Sequence, residues 1–251
     1  MNEQLRVALR PFARWEGALV LVLVAELIVF GALNARFLDT ARLLTSTSDF
    51  LYLGIIALPL AIVMITGGID ISVGSIVSLS AIVTGVTFAN GTGIWLACAA
   101  GMVAAVLAGL VNGGAILLTG ANPMVITLGT QFLFAGLAVG ISGLANVSSF
   151  EGISGLPDEF VEISNGRTVG LPNMLVIFVV VAAAFAVLLH RTTFGRQARL
   201  VGANPRTAVY SGFSVARITL VSYTLTAVGS GIAGILLTSY LASARADIGS
   251  T

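Results

Sequence analysis

Apolar residues run in long stretches along this chain, and polar residues gather in the short gaps between them. A helix needs about 20 predominantly apolar residues to cross a bilayer. Seven stretches are candidates, at roughly 17–33, 50–66, 73–89, 94–118, 123–144, 171–189 and 218–241. The pattern predicts an all-α, polytopic transmembrane helix bundle forming a single domain over 1–251. Two stretches, 50–66 and 73–89, are short and flank Thr66-Gly67-Gly68-Ile69-Asp70-Ile71-Ser72-Val73-Gly74-Ser75. Two glycines, a carboxylate and a serine between apolar runs predict a discontinuous helix around 66–75, built as a hairpin. Lipid cannot satisfy a broken backbone, so such a break belongs at a membrane edge, inside a bundle or beside a wet cavity.

Composition agrees with the pattern. Residues are 57% hydrophobic and only 9% charged, against about 25% charged in soluble domains, and the mean hydropathy is +1.03. The net charge of +1 decides nothing. The absence of lysine decides more, since all twelve basic residues are arginine. A P-loop needs its lysine on the phosphates and a Schiff-base enzyme needs a lysine amine, so this chain supplies neither chemistry by itself. Cys98 is the single cysteine and sits in an apolar run, which excludes an internal disulfide and predicts a buried, inert thiol. No soluble domain, linker or low-complexity tract interrupts the pattern.

Arginine placement sets an orientation. Arg6, Arg10 and Arg14 precede the first stretch, which is long for a signal peptide and lacks a cleavage site after it, so an uncleaved first helix with a cytoplasmic N-terminus is expected. The 190–217 segment holds Arg191, Arg196, Arg199, Arg206 and Arg217 and is expected on the same side, six crossings later. The 145–170 loop carries Glu151, Asp158, Glu159 and Glu162 against Arg167 and is expected outside. Small residues four apart, at Gly109/Gly113, Gly136/Gly140 and Ser230/Gly234, predict close helix packing.

Candidate chemistry is sparse. Asp70 reads as a cap for a helix starting near Ile71, as a group lining a translocation route, or as both, with Ser72 beside it. Asn122-Pro123 reads as a helix start. Thr127, Thr130 and Gln131 then share a face by three- and four-residue spacing, either for helix–helix hydrogen bonds or as a polar strip for a hydroxylated solute; Asn112 and Ser78 carry a weaker version of the same ambiguity. Glu26, in mid-stretch, is expected to be packed and hydrogen-bonded. His190 has no cluster of metal ligands around it, so no metal site is expected, and no nucleophile–base pair appears. Asn204 caps, Pro205 suits the first turn and Gly212 the stop of a short helix outside the bilayer. That helix reads equally as a headgroup-level surface helix or as a docking element.

Three motifs resemble the permease subunits of bacterial ABC importers for ribose-type sugars. They are Gly67-Gly68-Ile69-Asp70-Ile71-Ser72-Val73-Gly74, Asn122-Pro123 with Thr127-Leu128-Gly129-Thr130, and Gly195-Arg196 with Gly202-Ala203-Asn204-Pro205, Ala208 and Ser211-Gly212. Ser46-Thr47-Ser48-Asp49-Phe50 and the 239–247 segment are closest to one branch, the second permeases of autoinducer-2 importers, with ribose or rhamnose importers as the alternative. The resemblance implies a non-catalytic permease domain in the bacterial inner membrane, in contact with lipid and not nucleic acid. It implies a second permease, a periplasmic solute-binding protein and a dimer of ATP-binding subunits that carry the ATP and magnesium, with no cofactor in this chain. Gly202, Asn204, Pro205, Arg206, Ala208, Ser211 and Gly212 then correspond to the ATPase-coupling helix, although Arg206 departs from the acidic residue frequent nearby. Asp70, Ser72, Thr127, Thr130 and Gln131 are the expected groups near the route. The family continues past the equivalent of Thr251 with more membrane segments, so the chain is expected to be a fragment. An ion-coupled secondary transporter is the rival reading, and it requires paired acids within the membrane.

Overall fold

The computed structural model describes residues 15–34, 37–144 and 152–249. Arg6, Arg10, Arg14 and Glu151 lie outside the described residues. The helices are α1 (Trp15–Leu33), α2 (Thr40–Ile65), α3 (Val73–Ala89), α4 (Ile94–Thr119), α5 (Pro123–Leu144), α6 (Asp158–Asn165), α7 (Asn173–Arg191), α8 (Thr193–Ala203), α9 (Pro205–Tyr210) and α10 (Val215–Tyr240). A two-stranded hairpin, β1 (Arg167–Thr168) with β2 (Leu171–Pro172), precedes α7. Among the described residues, five helices are long and apolar enough to cross a membrane, and Gly17–Leu33 and Val73–Ala89 are shorter apolar helices. The chain is a multi-pass membrane protein, and seven apolar helices stand where the sequence predicts seven.

The chain divides into residues 1–49 and 50–251. In the first unit, α1 is exposed along nearly its whole length. Glu26 is exposed with it and not packed as expected. The ring of Phe30, in the last turn of α1, lies 5.6 Å from that of Phe37, tilted by 38°.

The second stretch was expected to begin near 50, yet α2 begins at Thr40. The Ser/Thr run before 50 reads as loop because hydroxyls compete with helical bonding. Here they turn back onto the helix, Ser46 Oγ to Arg42 O at 2.9 Å and Thr47 Oγ1 to Leu44 O at 2.6 Å.

In the second unit α10 is the central helix, packed on α4 and α3, with α3 also against α4 and α5. Burial follows this order: the most apolar stretch of α10 is 61% buried and that of α7 only 6%. Small residues permit the approach. A side chain at Gly109 would meet Ala227 Cβ at 2.6 Å and Thr224 Cα at 2.8 Å, and one at Gly234 would meet the Val77 carbonyl oxygen at 2.5 Å. Gly136 and Gly140 do not follow the expectation, since nothing lies within 4 Å of where their Cβ atoms would be. Several buried hydroxyls bond back within their own helix, as in Thr84 Oγ1 to Ser80 O at 2.9 Å and Thr238 Oγ1 to Gly234 O at 2.8 Å. Cys98 is half-buried beside the Ile94–Leu156–Phe160 cluster and not fully enclosed as expected.

After α10 the chain turns back onto the bundle. Ile153 and Ala244 form an antiparallel bridge, N to O at 2.8 and 2.9 Å. Gly249 N donates to Ser78 Oγ at 3.0 Å. The segment from Ala244 to Gly249 thereby lies along α3, and a cavity of about 310 Å³ opens between it, α2 and the first turns of α3.

Candidate functional site

The break between α2 and α3 is a built structure. Gly67 takes φ +83, a left-handed conformation that costs any other residue except asparagine or aspartate dearly. Gly67 N then bonds Met64 O at 3.0 Å and Gly68 N bonds Val63 O at 2.9 Å. This pair of bonds is a Schellman stop, which satisfies the last carbonyls of α2. Gly68 leaves room for the Tyr223 hydroxyl, which a Cβ there would meet at 2.5 Å.

The backbone from Ile69 to Ile71 belongs to no helix, so its polar groups draw partners from elsewhere. Thr127 of α5 supplies two of them. Its Oγ1 accepts from Ile71 N at 3.2 Å and lies 3.3 Å from Ile69 O. Tyr223 of α10 donates to the same Ile69 O at 3.3 Å. The break is thus held by side chains from two other helices.

Asp70 is 4% exposed. Its Oδ1 accepts from Ser72 N at 3.0 Å and from Ser72 Oγ at 2.7 Å. The bond to the backbone two residues on is an Asx turn, so Asp70 shapes the approach to α3. The expectation that it caps a helix starting near Ile71 needs correction: α3 starts at Val73, with Ser72 in the cap position. Asn112 of α4 donates from Nδ2 to Ser72 Oγ at 2.7 Å. Asp70 Oδ2 and Asn112 Oδ1 are buried and have no partner.

The structure therefore brings Asp70, Ser72 and Thr127 together and adds Asn112 and Tyr223. Thr130 is buried one turn along and donates to Thr127 O at 3.2 Å. Gln131 is half-buried and takes no part in this network. Tyr223 gave no sequence signal beyond being a phenol among apolar residues.

The second arrangement is the 193–213 segment. Asn204 Oδ1 accepts from Arg206 N at 3.0 Å and Thr207 N at 3.1 Å, and Pro205 occupies the first turn of α9. Gly212, at φ +80, ends α9 with a second Schellman stop, Gly212 N to Val209 O at 2.9 Å and Phe213 N to Ala208 O at 3.0 Å. Ser211 sits at the C-cap, its N–H on Thr207 O at 3.0 Å. Ala208 is buried in a cluster with Ile62, Val201 and Ile218. Val209 and Tyr210 point outward, 59% and 91% exposed, and Arg206 is exposed. His190 Nδ1 lies 3.0 Å from the Ala186 carbonyl, and among the described residues no group of His, Cys, Asp or Glu forms a metal site.

The two arrangements touch. A Cβ on Gly202 would collide with the Ile65 carbonyl oxygen and come within 3.5 Å of Thr66 Cα. The end of α8 therefore rests directly on the last residue of α2, where the break begins.

Residues 42–251 match the family model for the branched-chain amino acid transport system permease component. The chain is 48% identical over 235 residues to the autoinducer 2 import system permease protein LsrD of Klebsiella pneumoniae, covering 94% of this chain and 71% of that relative. It is 46% identical over 237 residues to proteins of the same name from Escherichia coli K12 and Shigella flexneri, covering 94% of this chain and 72% of each. No solved structure matches it.

Proposed function

This chain belongs to the permease-component family of branched-chain amino acid transport-type systems, and from that premise we propose that it is the membrane permease of a binding-protein-dependent importer of autoinducer-2. The name shared by the similar proteins carries the choice of solute. In this reading the N-terminus and the 190–217 segment face the cytoplasm of a bacterial inner membrane. A dimer of separate ATP-binding subunits hydrolyses ATP with magnesium, a second permease completes the path, and a periplasmic binding protein delivers the solute.

The observation that carries the mechanism is Gly202 resting on the Ile65 carbonyl. α9 offers Arg206, Val209 and Tyr210 to a partner. Ala208 and the capped ends fix α9 to the bundle. A push on α9 moves α8 and, through Gly202, reaches the start of the break. The break is held by a few side-chain hydrogen bonds from Thr127 and Tyr223, so it is the element best suited to switch between two packings. Asp70, Ser72, Thr127 and Thr130 are buried in this state, so they position the break, and they meet solute only when the bundle opens. Gln131, half-buried beside them, is the group nearest to a lining role.

The test is depletion of autoinducer-2 and of ribose from the medium by cells with and without the gene. Loss of autoinducer-2 depletion alone supports the reading. Loss of ribose depletion alone keeps the importer and replaces the solute.

A further inference from the structure

Two buried acceptors in the break have no donor. Asp70 is 4% exposed and Asn112 0% exposed. Their free atoms, Asp70 Oδ2 and Asn112 Oδ1, are both buried and unpartnered. Their other atoms meet on one hydroxyl, since Asp70 Oδ1 and Asn112 Nδ2 each lie 2.7 Å from Ser72 Oγ.

No neighbour can fill the gap. The Ser72 hydroxyl has one proton, and Asp70 Oδ1 takes it. The Thr127 hydroxyl is directed at backbone carbonyls, at 3.0 Å from Pro123 O and 3.3 Å from Ile69 O. Tyr223, the other titratable group facing the break, spends its proton on Ile69 O. No cation compensates the carboxylate, because the ion pairs given by described residues are Arg42 with Asp39 and Arg245 with Asp247, both elsewhere. A buried carboxylate without a counter-ion or a full set of donors is strongly disfavoured against its neutral form. Asn112 Oδ1, a second buried acceptor on the same Ser72 hydroxyl's other partner, is disfavoured without a donor as well.

We infer that Asp70 and Asn112 form a buried proton site, in which Asp70 Oδ2 carries a proton taken from water and donates it to Asn112 Oδ1. That one proton removes the charge, turns an acceptor into a donor and satisfies both orphaned atoms. A water molecule in the same place would supply two donors and leave the charge buried. The site thus holds the break closed as a neutral hydrogen-bonded unit of Asp70, Ser72 and Asn112. This inference does not rest on the identity of the solute.

Infrared spectroscopy of the purified chain in lipid at neutral pH tests it. The difference between wild type and Asp70→Asn is expected to contain the carbonyl stretch of a protonated carboxyl, shifting in heavy water. Asn112→Leu removes the acceptor and is expected to keep this band but move it to higher frequency. Protonated carboxyls elsewhere cancel in the difference. A difference holding only carboxylate bands would overturn the inference, and would mean that the Asn112 amide is turned end for end and donates to an ionised Asp70. If Asp70→Asn does not fold, 13C-aspartate labelling of wild type reads the same state. One aspartate signal that keeps its protonated position at neutral pH supports the site, and aspartate signals all at carboxylate positions refute it.

Discussion

Gly202→Ala is the sharpest test of how the exposed segment reaches the break. The new methyl group would fall on the Ile65 carbonyl oxygen, with Thr66 Cα close behind at 3.5 Å. These are backbone atoms, so no side-chain rotation relieves the clash, and α8 must lift away from the end of α2. Overpacking of this kind costs about 1–3 kcal/mol. As a coupling free energy between two sites, that range corresponds to roughly 5–150-fold. Under the function proposed above, the expected result is a fall of that order in solute uptake, while ATP hydrolysis by the proposed ATP-binding subunits continues. Gly114→Ala is the control, because nothing lies within 4 Å of its added methyl. Both variants are to be checked first for expression and for assembly with the proposed ATP-binding subunits, so that lost coupling is separated from lost folding. Assembled Gly202→Ala that transports as well as Gly114→Ala would refute the argument that the Gly202 contact transmits motion.

Three further outcomes follow from single contacts. Thr127→Val removes the acceptor of the part-buried Ile71 N–H, a loss of about 0.5–1.5 kcal/mol; amide exchange at Ile71 should accelerate, and unchanged exchange would show that Thr127 does not hold the break. Ala242 has φ 50 beyond the end of α10, a strain of roughly 1–2 kcal/mol that glycine relieves at an entropic cost of about 0.5–1 kcal/mol, so Ala242→Gly should raise the melting temperature slightly, and a lower one would contradict the assignment. The Asp247 carboxyl is held below the usual carboxylate range by its hydrogen bonds from Arg245, at 2.9 and 2.7 Å. Its stabilisation is therefore present above that range and lost as pH falls through it. In Arg245→Gln, exchange protection of residues 244–249 should be lower at neutral pH and lose the fall that wild type shows on acidification, and identical profiles would show that the pair does not secure this segment.

Legibility from sequence tracked the range of the interactions involved. The break at 66–72 was visible because glycine and aspartate punctuate apolar runs, and the structure adds that Gly67 makes the stop and Asp70 an Asx turn. Asn204, Pro205 and Gly212 were readable as cap, first turn and stop because each acts on backbone a few residues away. The start of α2 was misplaced because Ser46 and Thr47 bond backward along their own helix, which composition alone does not show. Tyr223 over Ile69 and Gly202 on Ile65 join positions far apart in the chain. No local pattern encodes such contacts. Small-residue spacing was ambiguous for the same reason: Gly109 meets α10 while Gly136 and Gly140 meet nothing within 4 Å.

The bridge between Ile153 and Ala244 also serves as a constraint on membrane topology. Two residues joined by backbone hydrogen bonds stand on the same side of the bilayer, whichever side that is. The chain between them must cross an even number of times, and α7 and α10 are the two helices there long enough to do so. A membrane-impermeant reagent that reaches a cysteine placed near one partner must reach one placed near the other from the same face. The orientation inferred from arginine counts can thus be tested at both residues, with no reference to the N-terminus.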